Sequence, residues 1–245
     1  MIKAVVNIDI GCYEQIQEPS FENPTWDFYT LTDLEGREHR KCTNEYFFEP
    51  VVVDEESLDG LSSKRKASYY KAKALSLLER ETGIDYDIVI VIDGNIQITG
   101  DLDAFIDEYH NNFDISMTRH PDCSSYLHES QKIQEIKSNF GGTGVVIETE
   151  ENMEETLDEM SRRGYKFNNG YHETGISIRS NTKRTKAFEK AWAKNYLQFA
   201  TKRDQPSLAF TRWEKKSIQF NTIEKSILNI SSPFSWHPHK YNKND

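Results

Sequence analysis

Apolar residues recur along the chain with two different periods, and their alternation predicts an α/β protein. The clearest strand is Ile88–Ile92, an uninterrupted apolar run that is typical of a central parallel strand buried on both faces. Shorter apolar runs predict five more strands, at residues 3–10, 27–31, 45–53, 114–118 and 174–179. Turn-forming residues follow most of these runs, as expected where a strand ends.

Between the strands, apolar residues spaced three or four apart predict helices. The first helix has Ser62 or Ser63 as its N-cap, runs to Glu81 and is closed by Gly83. Asp101 can cap the next helix, and Pro206 opens the last one at a position that tolerates proline. Further helices are predicted at 124–137, 152–163 and 182–199.

Strands that alternate with helices indicate a mostly parallel central sheet with helices on both faces. The chain shows no internal repeat and no linker rich in Pro or Ser. We therefore expect one Rossmann-like domain over residues 1–230. A C-terminal tail, residues 231–245, follows it.

Charge and composition narrow the class of partner. The chain of 245 residues carries 30 Lys and Arg against 40 Asp and Glu, a formal charge of -10. A protein that neutralises many phosphates needs an excess of basic residues, so nucleic acid is not expected as a partner. Hydrophobic residues make up 36%, and 13 Phe, 12 Tyr and 4 Trp supply the bulk of a core.

Cysteine usage and the N-terminus bear on the compartment. Cys12, Cys42 and Cys123 lie far apart with no CxxC spacing, which predicts neither a disulfide framework nor a zinc site and favours a reducing compartment. The first nine residues hold too short an apolar run for a signal peptide, and no run approaches the ~20 residues of a membrane span. We expect a cytoplasmic protein without a transmembrane segment.

The first candidate for chemistry is Asp93-Gly94-Asn95, directly after the central strand. In an open α/β sheet, ligands bind beyond the carboxyl ends of the strands. Carboxylate and amide oxygens suit Mg²⁺ or Mn²⁺, which could neutralise a diphosphate leaving group. The alternative is a plain turn, since all three residues are turn formers.

Basic residues cluster at Lys64, Arg65, Lys66 and Lys71 on the first predicted helix. They fit a diphosphate clamp, because Arg offers a planar fork and Lys a point charge. A solvated helix face is the simpler interpretation of such a cluster.

Two histidines near the C-terminus, His237 and His239, could complete an octahedral metal site from a distant part of the chain. The alternative is a disordered tail. Pro233 and Trp236 make this stretch less tail-like than the final residues.

Acidic residues supply candidates for a general base, the group that removes the proton of an attacking hydroxyl. Glu173 and Asp204 are the two candidates, with Asp204 slightly favoured because it precedes a helix N-terminus. Alternatively Asp204 caps that helix and Glu173 forms a surface salt bridge. His120 and Glu129 flank a loop-to-helix junction, where they either bind substrate or cap and pair.

The order of these pieces resembles a known family. The shared motifs, in chain order, are Gly-Cys-Tyr-Glu, Glu-Pro, Thr-x-Thr-Asp, Arg-(x)5-Lys, Ile-Asp-Gly-Asn-Ile, Arg-His-Pro, Tyr-x-x-Glu, Tyr-His-Glu-Thr-Gly and Arg-Asp-Gln-Pro-Ser. Over about Val5 to Trp213 the chain resembles a glycosyltransferase-like domain family once catalogued as a domain of unknown function. That family includes plant cell-wall proteins and bacterial and viral sugar transferases.

The resemblance implies a GT-A fold, a nucleotide-diphosphate sugar donor and Mn²⁺ or Mg²⁺. It assigns metal binding to Asp93, Asn95 and His237, and donor binding to Gly11, Tyr13, Thr32, Asp33, Arg65, Lys71 and Asp93. It places Glu173, Arg203 and Asp204 in the acceptor and catalytic region, where we expect Arg203 to bind the acceptor and Glu173 and Asp204 to be catalytic. His120 and Glu129 remain our candidates for acceptor binding. Asn95 departs from the family's second Asp. Residues 138–151 also fit the family poorly and are expected to form a lid over the donor.

The sequence thus favours a metal-dependent hexosyl- or deoxyhexosyltransferase that uses a UDP-sugar and a saccharide or glycan acceptor. Two alternatives remain open. A sugar nucleotidyltransferase could use a similar metal, although the chain has no Gly-rich signature of that class near the first strand. A non-catalytic carbohydrate-binding or scaffold protein could share the fold, because fold alone does not decide function.

Overall fold

The computed structural model describes residues 1–12, 15–35, 38, 47–139, 148–225 and 233–237. The strands in these ranges are β1 (Lys3–Asp9), β2 (Trp26–Thr32), β3 (Glu49–Val52), β4 (Ile88–Ile92), β5 (Ile96–Ile98), β6 (Ile115–Arg119), β7 (His172–Ser180), β8 (Phe220–Ile223) and β9 (Phe234–Trp236). The α-helices are α1 (Ser63–Ala72), α2 (Ala74–Thr82), α3 (Leu102–Tyr109), α4 (Tyr126–Asn139), α5 (Glu150–Arg162), α6 (Lys183–Gln198) and α7 (Gln205–Glu214).

The central sheet has seven strands in the order β3-β2-β1-β4-β7-β6-β8. Every neighbouring pair is parallel except the two that involve β7, which runs antiparallel to β4 and β6. Alternate residues of β1 belong to different cores: Ala4 and Val6 pack in one cluster with α1, α2 and α6, and Val5 packs in the other with α3. The predicted α/β fold, with a mostly parallel sheet between helices, is therefore confirmed.

The single helix predicted from Ser62 to Glu81 is wrong, because the chain forms α1 and α2 with a break at Lys73 (φ -110, ψ 13). The buried carboxylate of Glu189 caps the second helix by accepting hydrogen bonds from Leu75 N at 3.1 Å and Ser76 N at 3.0 Å. A partner more than a hundred residues away thus ends one helix and starts the next.

The reversed direction of β7 brings distant parts of the chain together. Because β7 runs against β4, the first residues of β7 lie beside the carboxyl end of β4. The backbone N–H of Asp93 donates to Gly175 O at 2.9 Å, which fixes this contact. Glu173 and Thr174 are therefore neighbours of the Asp93 turn.

The C-terminal segment contains ordered structure that the predicted tail did not include. Residues of β9 pair antiparallel with β5, with Trp236 opposite Ile96 and Phe234 opposite Ile98. The domain boundary at residue 230 stays a prediction. His239 and the segment 140–147, which makes up much of the predicted lid, lie outside the described residues.

Cys12 is disulfide-bonded, whereas Cys123 is free and buried. The expectation of reduced cysteines is therefore wrong at Cys12, since separation along the sequence says little about separation in space. Cys42 lies outside the described ranges. Among the helices that the structure describes, none is long and apolar enough to cross a membrane.

Candidate functional site

At the carboxyl end of β4, the ammonium group of Lys71 lies between two carboxylates. Lys71 Nζ is 2.5 Å from Asp93 Oδ1 and 3.3 Å from Asp204 Oδ2. Lys71 comes from the last turn of α1, Asp93 follows β4, and Asp204 immediately precedes α7. The hydroxyl of Thr174 donates to the other oxygen of Asp204 at 2.9 Å. Three elements far apart in sequence thus build one charged cluster.

The electrostatics of this cluster favour the charged forms of Lys71 and Asp204. Burial alone would lower the pKa of Lys71, but the adjacent Asp204 and Asp93 carboxylates raise it well above its ordinary value. Burial alone would raise the pKa of Asp204, but Lys71 and the Thr174 hydrogen bond hold it below its ordinary value. A buried, ion-paired carboxylate with a lowered pKa is a weak proton acceptor.

Beside this cluster lies a cavity of about 240 Å³, which we call the cationic cavity. Its lining includes the basic residues Lys64, Lys71, Lys202 and Arg203 and the carboxylates of Asp9, Asp93 and Asp204. Four basic side chains against three carboxylates leave a small excess of positive charge, which suits a phosphorylated ligand. The sequence motifs did not single out Asp9 or Lys202. Asp9 is the last residue of β1, and the position of a polar residue at a strand end was the signal that could have found it.

Gly11, one of the predicted nucleoside-binding residues, directly follows Ile10, which lines the cationic cavity, so the turn at Gly11 forms a rim of that cavity. Gly11 has φ +71, and a Cβ there would lie 2.7 Å from the Oγ of Ser63, a residue that lines the cavity. The N–H of Gly11 donates to Asp33 Oδ1 at 2.8 Å, and Thr32 Oγ1 accepts from Leu34 N at 3.3 Å. Asp33 therefore stabilises the turn at the rim, and Thr32 stabilises the turn that follows β2. Tyr13 lies outside the described residues.

Arg65 is not brought to the cationic cavity. Its guanidinium donates to the carbonyls of Phe199 at 3.2 Å and Ala200 at 3.4 Å and lies over the ring of Tyr196. Adjacent residues on a helix point about 100° apart, so Lys64 lines the cavity where Arg65 turns away. Arg65 thus fixes the segment that leads to Asp204.

A second cavity of about 250 Å³, the aromatic cavity, lies on the other side of Asp93. Its lining includes Asp93, Asn95, His120, Glu173, Thr174, Arg203 and Trp236. Trp236 is 42% exposed to solvent, whereas Trp26 and Trp192 are only 5% and 0% exposed. Glu173 and His120, predicted separately from the sequence, meet here.

Glu129 lies buried behind the wall of the aromatic cavity and holds three side chains. Its carboxylate is 2.7 Å from Arg203 Nη2, accepts the Tyr171 hydroxyl at 2.6 Å and lies 3.7 Å from His120 Nε2. His120 Nδ1 accepts two backbone N–H groups at 3.2 and 3.1 Å, so Nε2 carries the proton that faces Glu129. Burial would raise the pKa of Glu129, but His120 and Arg203 lower it.

The three predicted metal ligands come from two segments, since Asp93 and Asn95 lie in the turn between β4 and β5 and His237 directly follows β9. The side-chain amide of Asn95 donates to His237 O at 2.9 Å, and His237 N donates to Asn95 O at 3.0 Å. His237 Nε2 lies 3.2 Å from Gln97 Oε1. An N–H donated to Gln97 leaves the lone pair on Nδ1, the tautomer that a metal requires.

The donor set fits a Mg²⁺ or Mn²⁺ ion that also binds phosphate. One carboxylate, one amide oxygen and one imidazole leave coordination positions for phosphate oxygens, as such ions commonly require. No group of three or more His, Cys, Asp and Glu residues able to hold a metal occurs within the described residues. Protein ligands from this part of the chain would therefore make up only part of the coordination shell.

The two cavities share a wall made of Asp93, Thr174, Arg203 and Gln205. A ligand in either cavity can reach this wall. The structure thus places a cluster of charged groups between a basic cavity and an aromatic one.

No protein-family model matches this chain, and no curated protein matches it. Among solved structures, core-mannan synthase A (CmsA/Ktr4) from Aspergillus fumigatus in its Mn/GDP form is 12% identical, with a TM-score of 0.47 over 86% of this chain and 69% of that chain. Mouse xyloside xylosyltransferase 1 in its apo form is 10% identical, with a TM-score of 0.45 over 89% of this chain and 84% of that chain. The glycosyltransferase GlyE from Streptococcus pneumoniae TIGR4 is 12% identical, with a TM-score of 0.45 over 90% of this chain but only 45% of the GlyE chain. These structures to which the chain is similar are glycosyltransferases, and at such identities the function of this chain rests on the residues of its own site.

Proposed function

We propose that this protein transfers a sugar from a nucleotide-diphosphate sugar to a hydroxyl group of a saccharide or glycan. The observation that carries the proposal is the shared wall, where a basic cavity and an aromatic cavity meet at Asp93 and Arg203. A phosphorylated donor and a hydroxyl acceptor need two such adjoining spaces. We favour a UDP-sugar as donor and a hexosyl or deoxyhexosyl group as the moiety transferred.

On the donor side, Lys64, Lys71 and Lys202 would face the diphosphate. Their positive charge stabilises the negative charge that develops on the leaving group, which lowers the barrier for transfer. Lys71 is held by Asp93 and Asp204, so its ammonium needs no rearrangement when the donor arrives. Gly11 and Asp33 would border the nucleoside at the cavity rim.

Asp93, Asn95 and His237 would hold a divalent cation next to the diphosphate. Bound there, Mn²⁺ or Mg²⁺ would supply a Lewis acid that neutralises part of the diphosphate charge. The chain's own contribution is to orient these ligands through the Asn95–His237 hydrogen bonds and through Gln97.

On the acceptor side, Glu173 is the better placed of the two candidate bases. It lines the aromatic cavity, whereas the Asp204 carboxylate is committed to Lys71 and Thr174 on the opposite side of the wall. In the transfer step, the acceptor oxygen bonds to the anomeric carbon as the bond from that carbon to the diphosphate oxygen breaks. The bonding electrons leave with the nucleoside diphosphate, and the hydroxyl proton passes to Glu173.

The first test measures binding of UDP, GDP, CMP and dTDP by thermal unfolding and by calorimetry, each nucleotide once with Mn²⁺ and once with EDTA. A nucleotide at a hundredfold excess over its Kd adds ~2.7 kcal/mol to the stability of the folded state, which is a readily visible shift. We expect one nucleotide to bind in a metal-dependent way. Asp93→Asn should abolish that dependence, whereas Asp158→Asn, an exposed change on α5, should leave it intact.

The products then separate the proposal from its alternatives. Release of nucleoside diphosphate from a sugar nucleotide supports glycosyl transfer, and release of pyrophosphate would instead indicate nucleotidyl transfer. Saccharide binding that requires neither nucleotide nor metal, with no turnover of any sugar nucleotide, would contradict the proposal and indicate a scaffold.

A further inference from the structure

The exposed indole of Trp236 is the most unusual surface feature near the candidate site. It is 42% exposed, whereas Trp26 and Trp192 are buried and Trp213 is partly buried. A large aromatic side chain left open in a cavity is more informative than a scattered surface residue, because binding cavities combine aromatic walls with a few polar groups.

The position of Trp236 is fixed from both sides. Its backbone pairs with Ile96 in the β5–β9 sheet, and the next residue, His237, makes two hydrogen bonds with Asn95. Phe234 of the same strand is buried against Phe105, with ring centroids 5.1 Å apart. The indole is therefore presented by an anchored strand, next to the Asp93 turn.

The protein side chains around Trp236 supply no excess of positive charge to attract an anionic ligand. In the described part of the chain, the charged residues that line the aromatic cavity are Asp93, Glu173 and Arg203, together with the imidazole of His120. Arg203 is neutralised by the buried Glu129 at 2.7 Å. The lysines lie in the cationic cavity instead.

We propose that Trp236 is the platform on which a neutral pyranose ring of the acceptor stacks. Stacked on the indole, one ring face covers the aromatic surface while its hydroxyls remain at the edge, free to reach Glu173 and His120. The indole thus recognises the face of a sugar ring and not a charged group. This inference rests on the proposed function and adds the class of acceptor, a neutral saccharide, together with the residue that recognises it.

The test compares Trp236→Ala and Trp236→Phe with the wild-type protein on three acceptors: water, glycerol and a set of methyl pyranosides. Glycerol offers hydroxyls without a ring face. We expect Trp236→Ala to lower kcat/KM for the methyl pyranosides at least tenfold, mainly through KM, and to lower donor hydrolysis and glycerol transfer by a much smaller factor. Trp236→Phe should restore most of the pyranoside activity because it retains an aromatic face.

A matched control keeps the result from reflecting loss of structure. Leu197→Ala removes an exposed apolar side chain from α6, away from both cavities, and should leave every acceptor unaffected. If the Trp236→Ala protein transfers sugar to pyranosides as efficiently as the wild type does, the proposal that Trp236 is a platform is contradicted. An equal loss on water, glycerol and pyranosides would also overturn it, since that pattern reports a general structural role.

A second readout separates this inference from the proposed function. Acrylamide quenching of tryptophan fluorescence reports mainly on the exposed Trp236, so methyl pyranosides should protect the wild-type protein and not Trp236→Phe. If no sugar nucleotide is turned over but protection is seen, the platform stands and the transferase proposal fails. If turnover is seen but protection and the acceptor effect are both absent, the platform fails and the transferase stands.

Discussion

The cationic cavity and the aromatic cavity are of similar size, about 240 and 250 Å³, and share one wall, yet they are built differently. Lysines supplied by α1 and by the segment before α7 line the first. The second is lined by an exposed tryptophan, a histidine and a glutamate, and its single arginine is paired with a buried carboxylate. Size therefore does not distinguish them, but charge does.

The difference teaches how one wall can serve two ligands. Under the proposed function, fixed positive charge would attract the diphosphate and stabilise it as it leaves, and the same charge would trap an anionic acceptor. Glu129 would prevent this, because it pairs with Arg203, the basic residue common to both cavities.

The largest effect is expected from Lys71→Met, which removes the ammonium between Asp93 and Asp204. Breaking a buried ion pair from one side costs about 3 kcal/mol, because Asp204 would remain buried and uncompensated. Nucleotide-dependent turnover should fall at least a hundredfold. Denaturant unfolding and sugar-nucleotide hydrolysis measure the two effects.

The contribution of the Lys71–Asp204 pair to the stability of the folded state should depend on pH. The pKa of Asp204 is lowered in the folded state, so its stabilising effect is present above the ordinary value of 3.8 and is lost as pH falls through the lowered folded pKa. The pKa of Lys71 is raised, so its contribution persists up to 10.5 and is lost only above that. The stability gap between wild type and Lys71→Met should therefore be full near pH 7 and shrink in acid.

The matched control for Lys71 is Lys73→Met, two residues away, which breaks an ion pair with Glu55 at 2.6 Å outside both cavities. It should cost about 1 kcal/mol of stability, as expected for a partly exposed pair, and leave nucleotide binding unchanged. Equal losses of nucleotide binding in the two variants would mean that Lys71 has no special relation to the donor.

On the acceptor side, Glu129→Gln should release Arg203 and weaken the hold on Tyr171 and His120. We expect kcat/KM for the saccharide acceptor to fall roughly tenfold, equivalent to about 1.4 kcal/mol, with the nucleotide Kd changed less than threefold. The acceptors to compare are the neutral methyl pyranosides and one phosphorylated saccharide. Because the unpaired arginine then carries a net charge, the phosphorylated acceptor should lose less activity than the neutral ones.

Glu224→Gln provides the control for Glu129, since it breaks an exposed pair with Arg119 at 2.6 Å. It should leave all acceptors within twofold of wild type. A change in nucleotide affinity as large as the change in acceptor kinetics would show that Glu129 does not separate the two cavities electrostatically.

A smaller effect is expected at the rim of the cationic cavity from Gly11→Ala. Gly11 has φ +71 and a Cβ there would meet Ser63 Oγ at 2.7 Å, whereas Gly60 has φ +81 with nothing within 4 Å. Both alanine variants should lose about 1 kcal/mol from backbone strain. Only Gly11→Ala should weaken nucleotide binding, about fivefold by calorimetry, because it displaces Ser63. Equal nucleotide affinities for the two variants would exclude the rim from donor binding.

The frame of the site could be predicted from sequence because it depends on local patterns. The apolar run of β4 followed by Asp93, and the helical spacing that places Lys71, needed only strand and helix periodicity. The cap at Asp101 and the left-handed Gly83 also follow from short-range chemistry.

The remainder depends on partners that periodicity does not reveal. The direction of β7 decides whether Glu173 reaches Asp93. An apolar run predicts a strand but does not indicate whether that strand is parallel or antiparallel to its neighbours. The break between α1 and α2 is set by Glu189, and the orientation of Arg65 by the carbonyls of Phe199 and Ala200. The β5–β9 pairing that presents Trp236 joins residues about 140 apart, so a short strand near the C-terminus looked like a tail.

The smallest predicted effect separates exposed charge from buried charge within the cationic cavity. Lys64 lines the cavity from the exposed face of α1, whereas Lys71 is nearly buried. Screening by salt acts on exposed charges and much less on buried ones, with a Debye length of about 10 Å at 0.1 M and about 3 Å at 1 M. Lys64→Ala should therefore weaken nucleotide binding about threefold at low salt and have almost no effect near 0.5 M salt, whereas the Lys71→Met defect should persist at both. Lys66→Ala, on the same helix but outside the cavity lining, should have no effect at either salt concentration. A Lys64 effect that survives high salt would mean that this side chain contacts the phosphate directly, and the cationic cavity would then hold its ligand with two fixed lysines rather than one.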